Sequence, residues 1–139
     1  MKVFMLIIAV FEMFWFYSCN QKETKSFRSY IKILYVDKNI ETPIAIKGNR
    51  FEELFKDEYN TIIRQDSLSI LKLTSIIDTI KSSSTFCAID TRTKVVFYGT
   101  VKDSVVFLLN KFDDVCLNGK VIENANDLVL FINRNLEQK

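Results

Sequence analysis

The sequence predicts an α+β domain, with helices packed on one face of an antiparallel sheet that is largely a meander. The predicted elements run strand, strand, helix, helix, meander, helix. A parallel sheet would need helices alternating with strands throughout, so this segregated order favours antiparallel pairing. Asn118-Gly119 is the strongest hairpin signal in the chain, because both residue types tolerate the positive φ angles of a type I′ turn.

The chain from Tyr30 to Arg64 contains three predicted strands. Tyr30 to Asp37 is β-branched and aromatic with period-two alternation, which is typical of a strand. Pro43 limits Thr42 to Ile46 to a short strand at a sheet edge, because proline cannot donate to a ladder. Thr61 to Arg64 is one more brief strand.

Two helices are predicted around these strands. Asn49 and Glu52 form a capping-box-like pair at the start of a short helix from Arg50 to Glu58. Asp66 can cap a longer helix from Ser67 to Lys81. The apolar stripe of the longer helix contains Ile70, Leu73, Ile76, Ile77 and Ile80.

The second half predicts the meander and a closing helix. Phe86 to Tyr98 has no Gly, Pro or Asn and alternates from Ile89 onward, which indicates one long, half-solvated strand. Three shorter strands are expected at Ser104 to Leu109, Val115 to Leu117 and Lys120 to Ile122. Asn124 or Asn126 can cap a last helix that ends at Leu136.

The N-terminal segment has the composition of an export signal. Lys2 is followed by an apolar run from Val3 to Phe11, and the chain becomes polar abruptly after Cys19. The apolar stretch is shorter than the roughly 20 residues of a membrane-spanning helix. The longer stretch from Val3 to Tyr17 contains Glu12, which is costly at bilayer depth, so spanning is disfavoured.

Ser18-Cys19 resembles the cleavage site of bacterial lipoprotein signals. The resemblance implies that Cys19 is acylated on sulfur, exposed by cleavage and then acylated on nitrogen with a fatty acid such as palmitate. Phe16 and Tyr17 are bulkier than the usual residues before the cysteine, a relaxed pattern typical of Bacteroides-like bacteria. Two interpretations remain open: an ordinary cleaved secretory signal with Cys19 merely nearby, and a short N-terminal core helix.

The later part of the chain resembles small lipoproteins of the same bacteria. The residues that carry this resemblance are Asp90-Thr91-Arg92-Thr93-Lys94, a cysteine near a Phe-Asp turn, Asn118-Gly119-Lys120 and the closing helix. The resemblance brings no known activity with it. The expected organisation is a signal peptide over residues 1–18, a polar tether over 19–29 and a single domain over 30–139.

Composition excludes several classes of function. The formal net charge is only +2 and the basic residues are dispersed, so no nucleic-acid partner is expected. The chain has no histidine, which removes the commonest general base and the commonest metal ligand. Neither a zinc or calcium motif nor a glycine-rich phosphate loop occurs, so we expect no metal and no cofactor.

Two sets of residues are candidates for sites. Cys87 and Cys116 could form a disulfide in an exported domain, or they could be two buried small hydrophobes. The second set lies on one predicted strand, which would project its side chains in one row. This row could be a protein-binding face, or a solvated face with cross-strand charge pairs. Its residues are Asp90, Arg92, Lys94 and Tyr98.

These features favour a non-enzymatic, lipid-anchored binding module on the periplasmic or outer side of a bacterial membrane. The partners expected are the membrane, through the anchor, and a protein or surface ligand. An immunity or inhibitor protein is the second hypothesis. A glycan hydrolase is the third, because paired acids occur at Glu52-Glu53, Asp57-Glu58 and Asp113-Asp114, although neighbouring carboxylates are not preset to flank a sugar.

Overall fold

A computed structural model describes residues 28–99 and 103–138. Residues 1–18, Cys19 and most of the predicted tether therefore lie outside the described residues. The strands are β1 (Tyr30–Tyr35), β2 (Asn60–Arg64), β3 (Lys81–Phe86), β4 (Thr93–Tyr98), β5 (Ser104–Leu109), β6 (Val115–Leu117) and β7 (Lys120–Glu123). The helices are α1 (Phe51–Phe55), α2 (Ser67–Thr79) and α3 (Asn126–Glu137), and the 3-10 turns Gly48–Arg50 and Lys56–Glu58 flank α1.

All seven strands belong to one antiparallel sheet with the order β2-β1-β4-β5-β6-β7-β3. The predicted α+β class is confirmed, and β4 to β7 form the expected meander. At the β6–β7 turn, Asn118 has a φ of 47° and Gly119 a φ of 82°. Both central residues are in the left-handed region, as a type I′ hairpin requires.

The helix face of the sheet is the face that carries Ile33, Val95 and Phe107. Helices α2 and α3 cover it, and their buried residues Leu73 and Phe131 join the same apolar cluster. Successive side chains of a strand alternate between faces, so the odd-numbered residues of β1, β4 and β5 all contribute here. This layer of helices on a half-apolar sheet is the main core of the domain.

The second face of the sheet carries Leu34, Lys94 and Cys116. Helix α1 packs against part of it, since Phe51 and Phe55 cluster with Leu34. The two long helices thus share one face, while the short helix and the segment before it cover part of the other.

The predicted strand from Phe86 to Tyr98 is wrong as one element. It is divided into the end of β3 and the whole of β4, with no strand over residues 87–92. The chain leaves the ladder because Thr91 donates its backbone N–H to the carbonyl of Ile46, at 2.8 Å. A polar edge strand, β3, was not foreseen, since its serines lack the apolar alternation that identifies a strand.

The structure also differs from the predicted elements at Thr42 to Ile46 and at the helix ends. Thr42 to Ile46 forms no strand, because it runs as a loop held by residues 90–91. Asn49 lies within a 3-10 turn rather than at a cap, and α2 ends at Thr79. The N-cap of α3 is Ala125, without a side-chain bond. The Asp66 cap is confirmed, since its carboxylate accepts the N–H of Ser69 at 2.8 Å.

Candidate functional site

Strand register defines two opposite ends of the sheet. We call the end marked by Tyr30, Arg64 and Tyr98 the tether end, because β1 begins there. We call the end marked by Tyr35, Thr93 and Leu109 the cleft end. The segment that precedes Tyr30 therefore joins the domain at the tether end, whatever course it follows.

A polar cleft of about 490 Å³ lies at the cleft end. It forms where the loop after β1 meets the residues before β4 and the β5–β6 turn. Its walls are Lys38, Asn39, Ile40, Glu41, Thr42, Asp90, Arg92 and Lys111. This volume falls in the range of small-molecule sites, and the lining carries three cations and two carboxylates.

Arg92 forms the buried wall of this cleft, with only 3% of its surface exposed. Its Nη2 donates to Asp90 Oδ2 at 2.6 Å and to Thr42 Oγ1 at 3.1 Å. The guanidinium carbon lies 5.9 Å from the centre of the Phe55 ring, a cation–π contact. Nε and Nη1 are buried and have no hydrogen-bond acceptor among the described residues.

Asp90 fixes both the arginine and the loop opposite. One carboxylate oxygen accepts from Arg92 and the other accepts the backbone N–H of Ile46 at 2.8 Å. Because one short side chain holds both partners, the position of the guanidinium depends on the path of the loop.

The lysines of the cleft differ in their partners. Lys38 Nζ lies 2.6 Å from Asp113 Oδ1, in a half-exposed salt bridge. Lys111 is exposed, and its Nζ lies 5.0 Å from the Phe112 ring centre with no salt bridge in the described part of the chain. Asn110 positions Lys111, because its side-chain oxygen accepts the N–H of Phe112 at 2.9 Å and closes the turn.

The row predicted from Asp90 to Tyr98 does not form on one exposed strand. Asp90 and Arg92 precede β4, and Arg92 is buried. Lys94 and Tyr98 do share the second face, where Lys94 Nζ contacts Glu52 Oε1 at 3.1 Å. The structure therefore brings Asp90 and Arg92 together and leaves Tyr98 at the other end of the sheet.

At the tether end, Tyr98 stacks on Tyr30 with ring centres 4.4 Å apart. Partial removal from water raises the pKa of the Tyr30 phenol, and the neighbouring Tyr98 raises it further. These rings are half-buried rather than freely presented. The charge pair at Asp90–Arg92 and the ring pair at Tyr30–Tyr98 are thus separate features.

Cys87 and Cys116 are joined by a disulfide, with a Cα–Cα distance of 5.9 Å. The bond links the end of β3 to β6 on the second face. It borders a more apolar cleft of about 360 Å³, which Gly48, Phe86 and Leu108 also line. Cys116 is 1% exposed, so the bond lies at the bottom of this cleft.

The acidic pairs do not converge on one cavity. Glu52 pairs with Lys94 and Glu53 with Arg50, while Asp113 pairs with Lys38 and Asp114 accepts from Asn110. In the described ranges, no group of His, Cys, Asp and Glu residues could hold a metal ion. Over the same residues, no helix has the length and apolar character needed to cross a membrane.

The sequence predicts Asp90 and Arg92 as site residues but carries no sign of Lys38, Thr42 and Lys111. The missed residues come from two loops that lie far from residue 90 in the sequence, and only the β1–β4–β5 pairing brings them together. The one sign of the cleft in the sequence is Arg92, a charged residue within a segment predicted to be half-buried sheet. No protein-family model, curated protein or solved structure matches this chain.

Proposed function

We propose that this protein is a non-enzymatic binding module of the bacterial cell envelope, anchored by acylated Cys19, and that the polar cleft is its binding surface. The observation that carries the proposal is the separation of the two ends of the sheet. The chain from Cys19 joins at the tether end, next to Tyr30, while the cleft opens beside Thr93 at the other end.

This arrangement suits an anchored receptor. Two or three acyl chains, at about 0.8 kcal/mol per buried CH2, hold a protein at a membrane permanently. A cleft at the end remote from the attachment point stays open to solutes. An anchor that joined beside Lys111 would instead bring the membrane against the cleft.

The non-enzymatic part of the proposal rests on side-chain chemistry. The chain has no histidine for proton transfer. In the cleft, the carboxylate of Asp90 is engaged by Arg92 and by the Ile46 N–H. Both oxygens of this carboxylate hold the arginine and the loop in place, which favours binding over catalysis.

The anchor is tested by the intact mass of protein extracted from the membrane fraction. We expect a chain that begins at Cys19 and carries two or three acyl groups. Cys19→Ala should abolish acylation and release the protein from membranes or leave it unprocessed. Ser18→Ala is the matched control, since it keeps a small residue before the cysteine and should be acylated normally. An unmodified mass for the wild type, or acyl label retained in Cys19→Ala, would overturn the anchor.

A further inference from the structure

We propose that the polar cleft binds small molecules through an oxyanion, a carboxylate or a phosphate, held by Arg92, Lys38 and Lys111. This inference rests on the proposal that the cleft is the binding surface, and it names the chemistry of the ligand. The supporting observation is that two nitrogens of the buried Arg92 guanidinium, Nε and Nη1, have no hydrogen-bond acceptor in the described residues.

Arg92 has more donors than acceptors in its surroundings. A guanidinium carries five N–H donors, and Nη2 uses its two on Asp90 and Thr42. The three N–H groups of Nε and Nη1 have no acceptor in the described residues. Buried polar groups in folded proteins are nearly always paired, so this surplus needs an acceptor from outside the fold.

The contact with Thr42 is the place where a ligand could reach the unpaired N–H donors of Arg92. Its hydroxyl is a neutral acceptor 3.1 Å from Nη2, on a loop without helix or strand. An anionic oxygen entering from the cleft replaces this hydroxyl and gains the stronger, charge-assisted bond. Movement of the Thr42 side chain then lets the second oxygen of the ligand reach Nη1, in the forked geometry that arginine forms with carboxylate and phosphate.

Lys111 supplies the charge that Arg92 alone does not. Asp90 offsets the charge of Arg92, and Asp113 engages Lys38. Lys111 has no such acidic partner in the described part of the chain, so its ammonium is available to a ligand. Glu41 also lines the cleft and opposes an anion. Lys111 and Glu41 should therefore act with opposite sign on affinity.

The test is an NMR titration of the detergent-solubilised mature protein, following the backbone amides of Asn39, Thr42 and Lys111. Inorganic phosphate and acetate are the two anionic probes, titrated separately, and glycerol is the neutral one. We expect saturable shifts at these amides with phosphate, acetate or both, and none with glycerol. The arm that saturates at lower concentration identifies the preferred oxyanion.

Variants make the test specific. Lys111→Gln should weaken binding about tenfold, the size of one charge-assisted hydrogen bond. Glu41→Gln should strengthen it about threefold, since a nearby like charge is removed. Lys120→Gln, an exposed lysine of β7 outside the cleft, should leave affinity unchanged. These substitutions are at exposed positions, so loss of folding does not obscure the result.

Three results would overturn the inference. The first is no saturable shift with either anion. The second is equal weakening in Lys111→Gln and Lys120→Gln. The third is glycerol binding at the same amides with anions inert, which would leave the cleft as the binding surface and remove only the oxyanion. The proposed anchor is judged separately by the intact mass, so its failure and the failure of this inference are distinguishable.

Discussion

The two faces of the sheet differ in what they bury. In the described residues, the helix face buries a cluster of twelve apolar side chains under α2 and α3. The second face buries a cluster of only five, and it also carries a buried arginine, a disulfide and two clefts. Hydrophobic burial is the main stabilising term in folding, so the helix face accounts for most of the stability. The buried arginine and the polar cleft of the second face are the features on which the proposed binding function rests.

The largest effect is expected at the centre of the helix face. Phe107 is fully buried, and Phe107→Ala should lower the free energy of unfolding by about 3 to 5 kcal/mol. Val106, its neighbour in β5, points to the second face and is half-buried. Urea unfolding should show that Val106→Ala costs less than half as much. Equal losses for the two variants would remove the distinction between the faces.

The disulfide should be the strongest single contributor on the second face. It joins residues 29 positions apart, and closing such a loop stabilises by about 3 to 4 kcal/mol in the chain-entropy model. Cys87→Ala with Cys116→Ala should lose that amount in urea unfolding, and wild type in reductant should match it. A double variant as stable as oxidised wild type would show that the second face needs no covalent link.

Gly48 tests how closely the loop before α1 packs on the second face. A Cβ at this position would overlap the side chain of Leu108 in β5. Gly48→Ala should therefore cost about 1 to 3 kcal/mol by overpacking. Adding Leu108→Ala should restore part of the loss, because it removes the overlapping atoms. If thermal unfolding shows that the double variant loses as much stability as the two single variants together, overlap with Leu108 is not the cause of the loss in Gly48→Ala.

The smallest effect concerns Asp66 at the start of α2. The hydrogen bond from the Ser69 N–H lowers the pKa of the Asp66 carboxyl below its ordinary value of 3.8. A depressed pKa contributes stability that is present above the ordinary value and disappears as pH falls through the folded pKa. Melting temperatures from pH 2 to 7 should show a wild-type advantage over Asp66→Ala near neutrality that shrinks below pH 4. An advantage constant over this range would contradict the cap.

The sequence predicted local elements well where one residue type dictates the geometry. Asn118-Gly119 correctly predicts the β6–β7 hairpin, and Asp66 correctly predicts the start of α2. The strand β3 was missed because Ser82, Ser83 and Ser84 carry no apolar signal, and its pairing with β7 is decided by tertiary contacts. Intrinsic strand preference depends strongly on such context.

The candidate site was harder to predict for a related reason. Alternation over Ile89 to Phe97 favoured a continuous strand, yet the bond from Thr91 to Ile46 takes the chain out of the sheet. Arg92 is buried rather than exposed, because Thr42, Asp90 and the ring of Phe55 surround its guanidinium. The contributions of Lys38 and Lys111 depend on strand order, which local patterns do not encode.

The central claim is that Arg92 serves binding rather than stability, and a double variant that combines Asp90→Asn with Arg92→Met tests it directly. The amide oxygen introduced by Asp90→Asn would keep an acceptor for the Ile46 N–H. Replacing a buried ion pair by uncharged groups of similar size is often neutral for stability. The measurement is urea unfolding with and without the anion, phosphate or acetate, that saturates at lower concentration, at ten times its wild-type Kd.

We predict that the variant without the anion unfolds within about 1 kcal/mol of wild type. That anion should add about 1.4 kcal/mol to wild type and nothing comparable to the variant. A variant that is several kcal/mol less stable yet keeps the full gain from the anion would contradict the claim, and would show that Arg92 only holds the loop against the sheet.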